Sequence, residues 1–154
     1  MSLLEDKLST MKYEGWRGNV YKDTRGNPTV GWGFNLNDKL VNSMIPDDVK
    51  NGSRELTQAE GIPIFNKLYD RAEQTAKTYI GDKFDKLPDA VKSIVTDMSY
   101  NMGSKIKGFK DMKQAILTGD SQGIAYAMKD SKWFNQVGNR SKEHFKNIVS
   151  MGDY

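Results

Sequence analysis

The sequence predicts an α+β fold, with a small N-terminal β lobe packed against a mainly helical C-terminal lobe. Three observations predict it. Leu3, Leu4, Leu8 and Met11 recur at helical spacing. From Val20 to Phe34 the pattern changes to short stretches broken by "RGNP" and by Gly31 and Gly33, the punctuation of a small antiparallel sheet. Beyond residue 57 the apolar residues return to helical periodicity. A sheet this small cannot bury a core alone and must lean on a helix. Such a division leaves a cleft between the lobes, the usual place for a ligand.

Taken in order, residues 3–13 read as a helix stopped by Gly15 and Gly18. The segment "NSMIPDDVKNGSRE" is polar and turn-rich and reads as a loop or insertion. "LTQAE" is a capping box, with Thr57 as N-cap and Glu60 at the third helical position. The helix that follows carries Ile62, Phe65, Leu68, Ala72, Ala76 and Ile80. Pro63 sits deep for a first turn, so a kink or a later true start is expected there. "LPDAVKSIVTDMSYNMG" reads as another helix, with Val91, Ile94, Val95, Met98 and Met102 on one face and Gly103 as its stop. Shorter helices are expected over 108–118, 121–129 and 139–150. With no repeat and no linker, residues 1–154 read as one domain, with a β lobe over about 15–55. The helical lobe covers about 57–154 together with the N-terminal helix.

Composition narrows the chemistry. The chain has 154 residues, 37% of them hydrophobic and 28% charged, an ordinary globular balance. No apolar run approaches a membrane span, and no signal peptide is recognisable at the start. "MSL" also suits the remnant of an expression tag. There is no cysteine, so disulfides and thiolate-bound metals are excluded. His144 is the only histidine, which makes a Ser/His triad or a multi-histidine metal site nearly impossible. Acid–base work falls to carboxylates, tyrosines or lysines. No Gly-rich phosphate loop and no metal-ligand spacing occurs, so no cofactor is expected. The net charge of +3 is ordinarily a solvated surface. Its sharper reading is attraction to an anionic polymer such as cell wall or nucleic acid, and charge alone favours neither.

The stretch "YEGWRGNVYKDTRGNPTVGWGF", residues 13–34, sets one glutamate and one aspartate among aromatics and glycines. Glu14 falls at the end of the first helix, Asp23 in the sheet region, and Thr29 five intervening residues later. A helix end and a neighbouring hairpin can face each other across a gap, as splitting a glycosidic bond requires. One carboxyl must be protonated to serve the leaving oxygen. The other must be ionised to activate water or stabilise a cation-like transition state. Tyr13 and Trp16 would desolvate Glu14, whereas Lys22 and Thr24 give Asp23 a polar setting. Thr29 offers a hydroxyl to hold a water beside Asp23. Each residue also has an ordinary explanation. A glutamate before glycine is usually a helix end, and "KDTRGNP" collects turn residues for backbone reasons.

The spacing of Glu, eight residues, Asp, five residues, Thr resembles the catalytic signature of the phage-type lysozymes, the muramidase endolysins. "YEG", "VYKDTRGNPTVGWG", "LTQAEGIPIFNK", "DMSYNMG" and "SKWFNQVGNRSKE" are similar to that family in the same order and cover nearly the whole chain. The resemblance implies a lysozyme-like fold. It also implies hydrolysis of the β-1,4 bond between N-acetylmuramic acid and N-acetylglucosamine in bacterial peptidoglycan, for wall degradation and host lysis. It implies Glu14 as general acid, Asp23 as second carboxylate and Thr29 as an aid to placing water. Arg140 matches an arginine that pairs with the catalytic glutamate. The family arrangement suggests inversion, for which the carboxyls stand roughly 6.5–9.5 Å apart. Tyr100 and Asn101 match positions facing substrate. Three residues depart from the pattern. Phe34 replaces a common histidine, so an apolar contact is expected there in place of an ion pair. Asn35 stands where a leucine often lines the cleft, and Asn101 replaces a glutamine.

Trp32 and Trp133 read as core and Trp16 as a possible sugar platform. His144 reads as structural or solvent-facing. Lys105, Lys107 and Lys110 form a basic patch whose default reading is a solvated face. The expected partner is the peptidoglycan polymer. Nucleic acid and membrane insertion are not expected, a holin-type pore would give access to the wall, and a monomer is anticipated. The expected location is the host cytoplasm before release to the wall, or the virion. Two other readings stand beside hydrolysis. A lytic transglycosylase needs one acid and no water, and a non-catalytic wall-binding domain needs neither acid.

Overall fold

The computed structural model describes residues 3–154, with Gln136 described by its backbone alone; Met1 and Ser2, and with them most of the suspected tag remnant, lie outside the described residues. The chain opens with helix α1 (Leu3–Glu14). Strands β1 (Arg17–Lys22), β2 (Pro28–Gly31) and β3 (Phe34–Asn35) follow. They form one antiparallel sheet in the order β1-β2-β3, with Lys22 opposite Pro28 and Thr29 opposite Asn35. Next come α2 (Lys39–Met44), α3 (Asp47–Lys50) and the long α4 (Gln58–Ile80). A 3-10 turn at Phe84–Lys86 leads to α5 (Asp89–Met102) and a second 3-10 segment covers Gly103–Gly108. The chain then runs through α6 (Lys110–Thr118), α7 (Ser121–Lys129), α8 (Lys132–Val137) and α9 (Asn139–Met151). A small antiparallel sheet in a mostly helical chain is the lysozyme-like α+β class that the sequence predicts.

Two compact units divide near residue 70, within α4. In the first, the buried residues include Val30, Trp32, Phe34, Val41, Ile45, Val49, Leu56, Ile64 and Phe65. Trp32 meets Trp16 edge-on at 4.5 Å between ring centroids and Phe65 at 6.0 Å. Gly61 makes this stacking possible, because a Cβ there would come within 2.7 Å of the Trp16 ring. Phe34 is fully buried and its ring stands 6.4 Å from that of Trp32. The position that departs from the family's histidine therefore packs as an apolar residue. In the second unit, Ala76, Val91, Ile94, Val95, Met98, Ile106, Met112, Ile116, Ile124, Met128, Trp133 and Ile148 belong to one buried cluster.

The capping box forms as expected. The Glu60 backbone N–H donates to the Thr57 hydroxyl at 3.1 Å, and the Thr57 N–H donates to the Glu60 carboxylate at 3.0 Å. Arg54 clamps the same carboxylate through both terminal nitrogens at 2.8 and 2.9 Å. Hydrogen bonding from Arg54, then from Thr57, pulls the Glu60 carboxyl down to about 2.

Four expectations are corrected. The segment read as a loop holds α2 and α3. Asp38 caps α2 by accepting from the Leu40 and Val41 N–H groups, and Val41, Ile45 and Val49 are buried. Helices of six and four residues are too short for periodicity to show. Of the two outcomes expected at Pro63, the later start does not occur: α4 starts at Gln58 and runs through it. The Gly61 N–H already bonds the Thr57 carbonyl at 3.0 Å, so the proline removes only one donor just past the first turn. Ile62 is exposed rather than on the packed face. A short helix, α8, occupies 132–137, capped by the Ser131 hydroxyl accepting from the Phe134 N–H at 3.2 Å.

Candidate active site

Glu14 is the last residue of α1. The helix stops because Gly15 takes φ 70°, its N–H still bonding the Met11 carbonyl at 3.0 Å. The Glu14 side chain is half-buried, and Gly33 makes its place. A Cβ on Gly33 would overlap Glu14 Oε2 and stand 3.1 Å from its Cδ. Gly33 also adopts φ 72°, a conformation that disfavours any residue with a Cβ, and a side chain there would have to displace the Glu14 carboxyl. Tyr13 and Trp16, on either side of the Glu14–Gly15 corner, are half-buried too. The C-terminal pole of a helix favours positive charge over negative.

Asp23 has the opposite surroundings. It sits just past β1, at the head of the turn that joins β1 to β2, rather than within a strand. Its Oδ1 accepts from the Arg25 N–H at 2.9 Å and from the Asn27 N–H at 2.8 Å; its Oδ2 accepts from the Asn27 side-chain amide at 3.3 Å. The turn is closed by Asp23 N–H to Asn27 O at 2.9 Å and by Gly26 N–H to Asp23 O at 3.0 Å. Desolvation opposes ionisation. The backbone donors of Asn27 and Arg25, the Asn27 amide and the Arg25 charge outweigh it and hold the carboxyl below its ordinary range.

Tyr21, in β1, responds to the charges around it. Burial raises its phenol and Arg17 lowers it, with the guanidinium 4.0 Å from the ring centre. The charges of both Glu14 and Asp23 raise it further.

Thr29, in β2, is buried, with its hydroxyl donating to the Asn27 carbonyl at 2.9 Å. The proton is committed there, and the oxygen lone pairs remain for a water O–H. Asn35, in β3, uses its side-chain oxygen to accept from the Asn37 N–H at 2.9 Å, which fixes the turn after the strand. The remaining candidates lie in the second unit. Tyr100 is half-buried and Asn101 exposed at the end of α5. Arg140 is buried and donates to Asp97 Oδ1 at 2.9 Å, while His144 pairs with Asp97 Oδ2 at 2.8 Å. His144 is therefore a structural partner in a buried polar cluster, and Asp97 is the carboxylate that Arg140 meets within its own unit. Trp32 and Trp133 are core residues.

Sequence reasoning passed over Gly33, Asn27 and Tyr21. Gly33 was read as a turn glycine. Its second duty, leaving room for a carboxylate nineteen positions earlier, has no local signature. Asn27 lay hidden in a turn where asparagine is ordinary. Among the described residues, no group of three or more His, Asp or Glu is placed to hold a metal ion, and no helix is long and apolar enough to cross a membrane.

A three-stranded sheet in a helical chain, with one acid at a helix end and a second in the adjoining hairpin turn, defines a lysozyme-like protein. The phage lysozyme family matches residues 11–146, and the chain belongs to that family. It is similar to the pre-baseplate central spike protein Gp5 of Enterobacteria phage T4, at 23% identity over 141 residues. The match covers 83% of this chain and 24% of that protein, so the chain spans about a quarter of that relative's length.

Proposed function

We propose that the chain is an N-acetylmuramidase. It hydrolyses the β-1,4 bond between N-acetylmuramic acid and N-acetylglucosamine in peptidoglycan, with inversion. The observation that carries this reading is the pair of carboxyl groups that one unit places in different surroundings, at a helix end and in the adjoining hairpin turn. One is seated against Gly33 at a helix end; the other is held ionised by three donors. Glu14 protonates the leaving oxygen, and Asp23 takes a proton from the water that attacks the anomeric carbon. A Thr29 lone pair helps to orient that water. Membership of the phage lysozyme family supports the substrate class. An ionised, well-held Asp23 favours hydrolysis over the transglycosylase route, which has no use for it.

Similarity to a protein named as a central spike supports delivery of the domain to the wall on a virion. Release from the host cytoplasm through a holin-type pore is the second route. Purified peptidoglycan, digested by the parent and by Glu14→Gln and analysed by mass spectrometry, tests the activity. Fragments with reducing muramic ends from the parent, and at least about a 10²-fold loss in the variant, are expected. A folded Glu14→Gln that cleaves at the parent rate would overturn the assignment.

A further inference from the structure

The turn that carries Asp23 is held by a second layer of side chains. Asn37 Nδ2 donates to Asn27 Oδ1 at 3.2 Å, and Asn27 Nδ2 donates to Asp23 Oδ2 at 3.3 Å. An asparagine amide can present either of its ends. An ionised carboxylate only accepts, so Asp23 calls for the Asn27 N–H₂ group, and the Asn37 donor on the Asn27 oxygen reinforces that orientation. Asn37 is itself seated, because its backbone N–H donates to Asn35 Oδ1 at 2.9 Å. The following segment is pinned beside the turn by the Leu36 N–H on the Pro28 carbonyl at 2.8 Å. Two asparagines, Asn37 and Asn27, thus form a one-way relay of donors ending on one carboxylate, with Asn35 holding the backbone of the first. Nothing in the folding of a β-hairpin requires it. The Arg25 and Asn27 backbone N–H groups alone would satisfy Asp23 Oδ1, and Oδ2 would turn freely in solvent.

We infer that Asn27, oriented by Asn37, is a positioning residue for Asp23. It fixes the rotation of the carboxylate so that one oxygen keeps a constant aim, and it keeps that carboxylate charged as it approaches substrate. This rests on the proposed reading of Asp23 as the group that activates water. The two acids are then specialised by different means. Glu14 is placed by the absence of a side chain at Gly33, Asp23 by the donors of Asn27. The polarity matters as well as the contact. If Asn27 presented its oxygen, two acceptors would face each other and the carboxylate would swing away.

The test compares the parent with Asn27→Ala, Asn37→Ala and the double variant. All three keep the backbone donors of the turn. Circular dichroism melting confirms folding. Carbon-detected NMR titrates Asp23 directly and needs no substrate. Asn27→Ala should raise the Asp23 midpoint, Asn37→Ala should raise it less, and the double variant should match Asn27→Ala because Asn37 acts only through Asn27. On peptidoglycan, kcat should fall by about tenfold in Asn27→Ala, a part of the usual general-base contribution. KM should be little changed, and the acid limb of the pH profile should move up with the NMR midpoint. An unchanged Asp23 midpoint in folded Asn27→Ala would overturn the inference, as would additive effects in the double variant. Asp23→Asn serves as the control for the reading beneath it. If that variant cleaves like the parent, or the parent does not cleave, the proposed function fails, while the titration still decides whether Asn27 holds Asp23.

Discussion

The end of α1 and the β1–β2 turn each carry one acid, nine positions apart, and they treat it in opposite ways. At the helix end, Glu14 is packed by subtraction. A glycine at 33 leaves the space, and aromatics flank the corner. In the turn, Asp23 is held by addition, with backbone and side-chain donors converging on both of its oxygens. The same functional group is seated by a missing side chain in one place and by hydrogen-bond donors in the other. The lesson is that a hairpin turn, which has to bend its backbone N–H groups inward anyway, is an inexpensive place to keep a carboxylate charged.

Replacing Asp23 by Asn breaks the charged half. It keeps the shape but reverses the demand on its donors, since an amide nitrogen would face the N–H groups that now point at oxygen. Loss of about 10²- to 10⁴-fold in kcat is expected, measured as reducing ends released per unit time. Gly33→Ala breaks the other half without touching a charge. The new methyl needs the space of Glu14 Oε2 and a φ of 72° that alanine disfavours. Displacing an acid by about 1 Å costs about 10²-fold in rate, so kcat should fall by that order. The acid limb of the pH profile, which Asp23 sets, should stay where it is. A Gly33→Ala enzyme with parent kcat would show that Glu14 is not seated as described.

The pH dependence sharpens the contrast. The Asp23 carboxyl is held below its ordinary value of 3.8. Its contribution to stability is therefore fully present above that value and is lost as pH falls through the lower, folded one. Cleavage on the acid side should persist to the same point, and a pH–rate profile followed alongside thermal melts checks the pairing. The smallest effect is expected from Thr29→Ala. The hydroxyl donates to the Asn27 carbonyl and can offer only lone pairs to a water. About a tenfold loss in kcat with an unshifted pH profile would fit that role, and a rate equal to the parent would remove Thr29 from the chemistry.

Much of this is legible in the sequence alone. The capping box at Thr57 and Glu60 was legible because both partners lie within one turn. The stop at Gly103 and the core face of α5 were legible because periodicity extends over 14 residues. The acids at 14 and 23 were legible as a pair only with the help of resemblance, since a helix end and a turn collect such residues for backbone reasons alone. What escaped had a physical reason in each case. Helices α2, α3 and α8 are shorter than two turns and show no repeat. The exposure of Ile62 depends on which neighbours α4 meets, not on its own period. The Asn37–Asn27–Asp23 relay joins two turns ten residues apart through side-chain amides, and no pattern along the chain distinguishes it from ordinary turn composition. The polar cluster of Asp97, Arg140 and His144 spans more than forty positions and is invisible to any local rule.

The most direct test of the account is the anomeric configuration of the first product. A soluble peptidoglycan oligosaccharide is cleaved in an NMR tube and the new reducing end is observed before it mutarotates. If Asp23 activates water on the face opposite the bond that Glu14 protonates, the β-linked sugar is released as the α anomer. Release of the β anomer would mean that a covalent intermediate or a same-face attack carries the reaction. An anhydro end would mean that no water enters at all. Either would contradict the division of labour between the helix end and the turn.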